Sequence, residues 1–314
     1  MDDMVPLDVV TIGRTLVDLY PLQDGPLEQV TAFEKSVGGS PTNVAVAAAR
    51  LGYRSGVVSR VGDDAFGRFA RSQLAHWGVD ISQVRTVPGG VTPVAFCEIS
   101  PPDSFPLTIY RPDPPVDVAI AVDELDMDAI VAARILWMTM SGLAAEPSRA
   151  AHHACVTSRS AGSHTVIDLD FRRAFWASEA EAATAARDAL PYATVIVGNL
   201  DECRIVTGAK DAATAADFLL SFGAALVIVK LGGEGVLGAI PGGRVTVAPI
   251  EVKVANGLGA GDAFGGALCH ALLSGWELER ALVFANAAGA IVASRRGCSI
   301  AMPTLNEIED LAGL

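Results

Sequence analysis

No Gly-Lys pair occurs anywhere in the 314 residues, so the chain has no G-x-x-x-x-G-K-[ST] phosphate loop. The first strand-like run, Val9 to Ile12, ends at Gly13-Arg14-Thr15 without a G-x-G-x-x-G turn, which counts against a dinucleotide-dependent dehydrogenase. The cysteines, Cys97, Cys155, Cys203, Cys269 and Cys298, are odd in number and contain no C-x-x-C unit. That spacing argues against a disulfide framework and for buried thiols in a reducing, cytoplasmic setting. His76, His152, His153, His164 and His270 share no metal-ligand spacing. Basic residues are in deficit, 23 Lys and Arg against 36 Asp and Glu, and the net charge of −13 disfavours nucleic acid or anionic lipid as partners. An anionic small substrate would then need its own cluster of arginines and amide donors. Apolar runs such as Ala224 to Val229 are interrupted well before the roughly 18 residues of a membrane span. Met1 to Pro6 lacks the basic-then-apolar pattern of a signal peptide.

What is present is material for one large core: 51% hydrophobic and 19% charged residues, read as a single domain over 1–314. Short β-branched runs at Val9 to Ile12, Val166 to Leu169, Val195 to Val197 and Val227 to Val229 predict parallel strands buried on both faces. Between them, Asn43 to Leu51, Phe66 to Trp77, Glu179 to Leu190, Ala212 to Phe222 and Asp262 to Leu273 have helical spacing, so the alternation predicts an α/β layered fold. Thr15 to Lys35 and the proline-rich Thr92 to Asp117 break that rhythm. The second alternates through Val94 to Ile99 and Leu107 to Tyr110 like half-exposed strands, with prolines confining it to edges and turns. The two pieces read equally as surface loops or as one small β-sheet. Thr304-Leu-Asn-Glu307 after Pro303 has the spacing of a capping box and predicts a closing helix.

The most chemically informative stretch is Asn256-Gly-Leu-Gly-Ala-Gly-Asp262-Ala-Phe-Gly-Gly, which follows a strand-like Val245 to Val254 and runs into a helix. Glycines ahead of a helix let backbone N–H groups converge, and the helix dipole adds partial positive charge, so Gly259, Ala260 and Gly261 can form an anion hole. Asp262, in the first turn, is placed to accept a proton from a hydroxyl attacking a phosphoryl group held there. Taken alone, the glycine pattern reads first as a plain turn capped by Asp262, and the companion segments reverse that order.

A second segment, Val37-Gly-Gly-Ser-Pro-Thr-Asn43 running on to Arg50-Leu-Gly52, is followed by Val61-Gly-Asp-Asp64-Ala-Phe-Gly67. Gly38 and Gly39 allow a polyol close to the backbone, and Asn43 offers a donor and an acceptor to a hydroxyl, or else caps its helix. Together with residues 256–264, these segments resemble the two signatures of the ribokinase-like (PfkB) family of carbohydrate kinases. The resemblance extends from about residue 7 to 312. It implies a central, mostly parallel sheet between helices, with a small β-sheet lid from about 14–36 and 92–118, and ATP and Mg²⁺ as cofactors. Asn199-Leu-Asp-Glu202 matches the family's N-x-x-E element, which implies that Asn199 and Glu202 act near the nucleotide phosphates and Mg²⁺, Glu202 through water. Lys230-Leu-Gly-Gly-Glu-Gly235 matches the loop along the nucleotide, implicating Lys230, Gly232 and Gly235, and Asn286 falls on the helix beside the adenine pocket.

Ile12-Gly-Arg14 to Asp18, Tyr110-Arg111 and Asp168-Leu-Asp170-Phe-Arg172-Arg-Ala-Phe-Trp176 resemble a branch of the family acting on carboxylated deoxyketoses. The resemblance implies that Asp18, Tyr110 and Asp170 contact the sugar, and that Arg14, Arg111 or Arg172 takes its carboxylate, for which a planar guanidinium fork is apt. The sequence departs from the family at Asn256-Gly257, where relatives carry Asp-Thr beside a monovalent cation held partly by carbonyls from about Val292 to Ser299. This departure counts against potassium activation. The lid also offers a surface through which two copies could pair.

Overall fold

The computed structural model describes residues 6–101, 104–159 and 162–314; Met1 to Val5 and Pro102 of the segments named above lie outside them. In chain order the strands are β1 (Val9–Ile12), β2 (Leu16–Pro21), β3 (Phe33–Gly38), β4 (Ser55–Gly62), β5 (Val84–Val87), β6 (Val94–Cys97) and β7 (Leu107–Tyr110). They continue with β8 (Ile135–Thr139), β9 (His164–Asp168), β10 (Val195–Asn199), β11 (Leu226–Lys230), β12 (Val236–Ile240) and β13 (Gly243–Val247). The helices are α1 (Ser40–Arg50), α2 (Ala65–His76), α3 (Met127–Ala132), α4 (Ser148–Thr157), α5 (Glu179–Ala189), α6 (Leu200–Thr207), α7 (Ala212–Leu220), α8 (Ala260–Leu273), α9 (Leu278–Ala293) and α10 (Leu305–Ala312).

Nine strands form the main sheet in the order β13-β12-β11-β10-β9-β8-β1-β4-β5. Seven of them run parallel, and only the hairpin β12-β13 at one edge is antiparallel. Sequence explains the difference. Val9-Val-Thr-Ile12, Ile135-Leu-Trp-Met-Thr139 and Val195-Ile-Val-Gly198 are buried along their whole length, because helices cover both faces, whereas β13 alternates exposed and half-buried residues as an edge strand does. β13 stops at Val247, short of the strand-like run through Val254, because Pro249 cannot donate to a ladder.

Two apolar layers result. One gathers α1, α8 and α9 on one face around Trp137, Phe264 and Phe284; the other gathers α4 to α7 on the opposite face around Met138, Leu169 and Trp176. Close approach of α8 to α1 depends on Gly266, where a methyl group would fall 2.2 Å from Ala47 Cβ. All five cysteines are free and buried. Among the described residues no helix is long and apolar enough to cross a membrane.

The two segments that broke the α/β rhythm meet in a separate four-stranded sheet, β3-β2-β6-β7. Its register pairs Ala95 with Ile109 and Val94 with Tyr110, so these pairs alternate faces. Leu16, Asp18, Tyr20, Ala95, Leu107 and Ile109 line a pocket against the main sheet. On the other face Phe33, Phe96 and Tyr110 stack edge to face, with ring centroids 5.3 and 5.5 Å apart.

Candidate active site

The pocket lies where β1, β9 and β11 end at one edge of the main sheet, the position at which open α/β sheets present loops to ligands. Its floor is the start of α8. Gly259 has φ +82°, a left-handed conformation natural only to glycine, and a methyl there would lie 2.6 Å from Cys298 Sγ. Because α8 begins at Ala260, the amides of its first turn have no carbonyl one turn earlier to bond, and they open toward the pocket with the positive end of the helix dipole. Lys230, at the end of β11, brings Nζ to 3.2 Å from where a methyl on Gly261 would stand, so an ammonium faces this amide cradle. Burial opposes that charge, yet Asp168 and Glu202 outweigh it and hold the lysine above its usual pKa.

Asp262 is held from α1. Ser40 Oγ donates to Oδ1 at 2.7 Å and Asn43 Nδ2 donates to Oδ2 at 2.8 Å. Burial raises the Asp262 pKa above the usual carboxylate range, while these two donors restrain it. Asn43 Oδ1 has no partner among the described residues. α1 itself is fixed because Thr42 Oγ1 donates to the Arg14 carbonyl at 2.9 Å, and Gly39 (φ +101°) passes so close that a methyl would fall 2.2 Å from that same oxygen. Opposite Asp262, Asp18 projects from β2 and is pushed up to about 7, first by burial and then by the charge of Asp262. Gly38 allows this, since a methyl there would overlap the Asp18 carboxylate.

Asp170 organises the third wall. Arg172 NH2 meets its Oδ1 at 2.7 Å, and Arg14 NH2 meets its Oδ2 at 3.3 Å. Burial would raise the Asp170 pKa, but Arg172 and Arg14 pull it below its ordinary value. The Phe175 ring lies 4.5 Å from the Arg14 guanidinium and 4.4 Å from that of Arg111. Arg111 spends its own fork on Asp117, whose side chain is fully buried, at 2.9 Å to each carboxylate oxygen. Arg14 and Arg172 thus share Asp170, while Arg111 is paired with Asp117.

A carbohydrate-kinase signature, the pfkB family carbohydrate kinase model, matches residues 6–305. The chain belongs to the pfkB family of carbohydrate kinases. It is 34% identical over 310 residues to a 5-dehydro-2-deoxygluconokinase of Shouchella clausii, covering 97% of this chain and 95% of that protein. Its backbone superposes on a putative ribokinase II from E. coli in complex with ATP and Mg²⁺ with TM-score 0.89 at 26% identity, covering 98% and 99% of the two chains. A fructokinase from Vibrio cholerae in a fructose, ADP and potassium ion bound form superposes with TM-score 0.85 at 27% identity, covering 98% and 99%.

In this carbohydrate kinase the structure brings Arg14, Asp18, Gly39, Asn43, Arg172, Gly259 and Asp262 around one pocket. Two of the expected residues do not line this pocket. β7 turns Ile109 inward, and the Tyr110 ring, 65% exposed, stacks on Phe96 on the outer face. Arg111 is likewise outside the pocket lining, its guanidinium occupied by Asp117. On the nucleotide side, Asn199 and Glu202 form a reciprocal cap of α6: Glu202 N donates to Asn199 Oδ1 at 2.9 Å and Asn199 N to Glu202 Oε2 at 2.7 Å. Glu202 Oε1 accepts from Phe171 N at 3.3 Å. Gly232 (φ +58°) and Gly235 (φ +93°) shape the turn after β11, and Asn286 Nδ2 donates to the Ala248 carbonyl at 2.9 Å.

Sequence reading overlooked Ser40, Asp168 and Phe175. Ser40 stands three residues before Asn43 on the same helical face, a spacing visible in the motif. Asp168, pushed up to about 7 by burial and restrained by Lys230 at 3.9 Å, sits two residues before Asp170. Phe175 gave no signal, because its role depends on two arginines far away in sequence.

Proposed function

We propose that the protein transfers the γ-phosphoryl group of ATP to the primary hydroxyl of a small carboxylated deoxyketose, 5-dehydro-2-deoxy-D-gluconate. The observation that carries this reading is the opposition, within one pocket, of Asp262 at the α8 amide cradle and the two guanidiniums of Arg14 and Arg172 gathered on Asp170. The relatives named for that kinase activity support the choice of sugar acid. Asn43 Oδ1 and Asp18 accept sugar hydroxyls, and Arg172, whose side chain is 42% exposed, offers its free edge to the carboxylate while Arg14 backs it. Asp262 takes the proton of the attacking hydroxyl, and the amides of Gly259, Ala260 and Gly261 donate to the transferring phosphoryl oxygens. Lys230 adds positive charge beside them. The lid sheet covers the sugar and excludes water, which limits ATP hydrolysis.

Among the described residues no three His, Cys, Asp or Glu side chains converge as metal ligands. Glu202, already bonded to backbone amides through both oxygens, would hold a Mg²⁺ brought by ATP through water, the other oxygens coming from phosphate and water. When bound, the ion neutralises phosphate charge. The turn at Gly232 and Gly235 and the Asn286 side of α9 flank the nucleotide. An ATP-using reaction of this kind belongs in the cytoplasm. The outer lid face, with Phe33, Phe96 and Tyr110, is read as the surface where two copies pair.

The test is a coupled ADP-release assay with 5-dehydro-2-deoxygluconate, 2-keto-3-deoxygluconate and fructose, run on wild type and on Arg172→Ala. Wild type is expected to prefer the first sugar, and Arg172→Ala to lose on the order of 10-fold or more in kcat/KM for both acids, the scale of a lost charged hydrogen bond. Equal losses for fructose would reject Arg172 as the carboxylate holder. Preference for 2-keto-3-deoxygluconate would change the substrate while leaving the chemistry intact.

A further inference from the structure

The strand of chain entering the amide cradle is tied to the segment after α9 by one side chain. Asn256 is fully buried. Its Oδ1 accepts from Leu258 N at 3.0 Å, which fixes the amide orientation, since the opposite flip would set an NH₂ against that N–H. Nδ2 consequently faces two carbonyls, Leu258 O at 3.3 Å and Gly297 O at 3.4 Å. The backbone of the same stretch is anchored too, with Ala255 N and Asn256 N both donating to Ala293 O at 2.8 and 3.1 Å.

A bound monovalent cation needs several oxygens converging on one point in place of its water shell. Here the group that converges with Gly297 O and Leu258 O is an N–H donor, with its proton where a cation would carry its charge. Gly297 also follows two arginines: Arg295 pairs with Glu307 and donates to Ala301 O at 3.1 Å, and Arg296 reaches Asp24 of the lid side at 2.6 Å. These bonds tie the 294–301 segment to α10 and to Asp24 through protein groups. Cys298 in turn abuts Gly259, the first residue of the cradle. The residues present therefore do not fit the monovalent cation that the fold family implies and that the Vibrio fructokinase structure is described as holding.

We propose that the Asn256 carboxamide performs the cation's structural task, bridging the Leu258 and Gly297 carbonyls so that the Gly259 to Gly261 cradle is organised without K⁺. The kinase is then independent of the monovalent cation supplied, and a carboxylate at position 256 creates a cation requirement. The activity arm of this inference rests on the kinase reading above; the melting arm does not.

The experiment compares wild type and Asn256→Asp in K⁺, Na⁺ and tetramethylammonium chloride at equal ionic strength with Mg²⁺ present, measuring phosphorylation rate and melting temperature. Wild-type rates are expected to agree within about twofold across the three salts, and its melting temperature to be the same in K⁺ and tetramethylammonium. Asn256→Asp is expected to melt lower in tetramethylammonium and to recover in K⁺, as binding to the native state requires, with its rate rising at least about fivefold, the low end of effector coupling. Stimulation of wild type by K⁺ of about fivefold or more, or a K⁺-specific rise in its melting temperature, would overturn the proposal. If Asn256→Asp does not fold in any salt, the wild-type panel alone decides. Absence of phosphoryl transfer by wild type in every salt would count against the kinase reading instead, and the melting comparison would still decide the cation question.

Discussion

Two buried carboxylates, Asp18 and Asp262, line the same pocket, and burial raises the pKa of each. Asp18 titrates at about 7 against an ordinary 3.8, with burial the largest cause and Asp262 the next. Asp168, at about 7, behaves alike for the same first reason. Between the two values the folded chain holds a proton that the unfolded chain has released. The resulting stabilisation is complete below the unfolded value and disappears as pH rises through about 7. Substrate-free protein is therefore expected to melt at higher temperature near pH 6 than near pH 8, and Asp18→Asn to shrink that difference. Scanning calorimetry at the two pH values checks this; an unchanged difference in the variant would show that the Asp18 charge is matched by groups other than those named. Burial also lowers the Arg14 pKa in spite of Asp170, whereas Asp170 outweighs burial at Arg172 and raises its pKa.

At the scale of elements, the start of α8 decides whether the chemistry is possible. Gly259 combines a left-handed backbone, which costs an ordinary L-residue about 1–2 kcal/mol, with the absence of room for a methyl beside Cys298. Gly259→Ala is expected to displace the cradle and lower kcat by about 10- to 100-fold while the protein stays folded; circular dichroism and kcat together check it. A normal kcat would mean that the amides of this turn do not touch the transferring group. This turn was legible from sequence because glycine before a helix has few other uses, and the strands β1, β8 and β10 because burial on both faces leaves unbroken apolar runs. The outward position of Tyr110 was not legible for a physical reason. In a lid strand the facing side alternates with every residue, so one position separates a pocket-lining Ile109 from an outward Tyr110, and sequence spacing does not state which parity is inward. The pairing of Arg111 with Asp117 was not legible because it forms only once the chain after β7 turns back.

For the whole molecule, the layered sheet supplies rigidity and the second sheet supplies a cover, joined by contacts such as Arg296 to Asp24 and Tyr20 Oη to Cys298 Sγ at 2.6 Å. The outer face of that sheet leaves Tyr110 largely exposed beside the half-buried Phe96 and Phe33. Sedimentation is expected to give a dimer for wild type and a monomer for Tyr110→Glu; a wild-type monomer at micromolar concentration would remove this surface from consideration. In a protein of net charge −13, Arg14 and Arg172 are the guanidiniums that line this pocket.

The central claim is that Asp262, held by Ser40 and Asn43, removes the proton from the hydroxyl that attacks phosphorus. Its most direct test is ADP release by Asp262→Asn with saturating sugar acid and MgATP, alongside calorimetric binding of each ligand. Both ligands are expected to bind nearly as in wild type while turnover falls by about 10² to 10⁴, the range of general-base catalysis. Turnover at the wild-type rate would contradict the role of Asp262 outright.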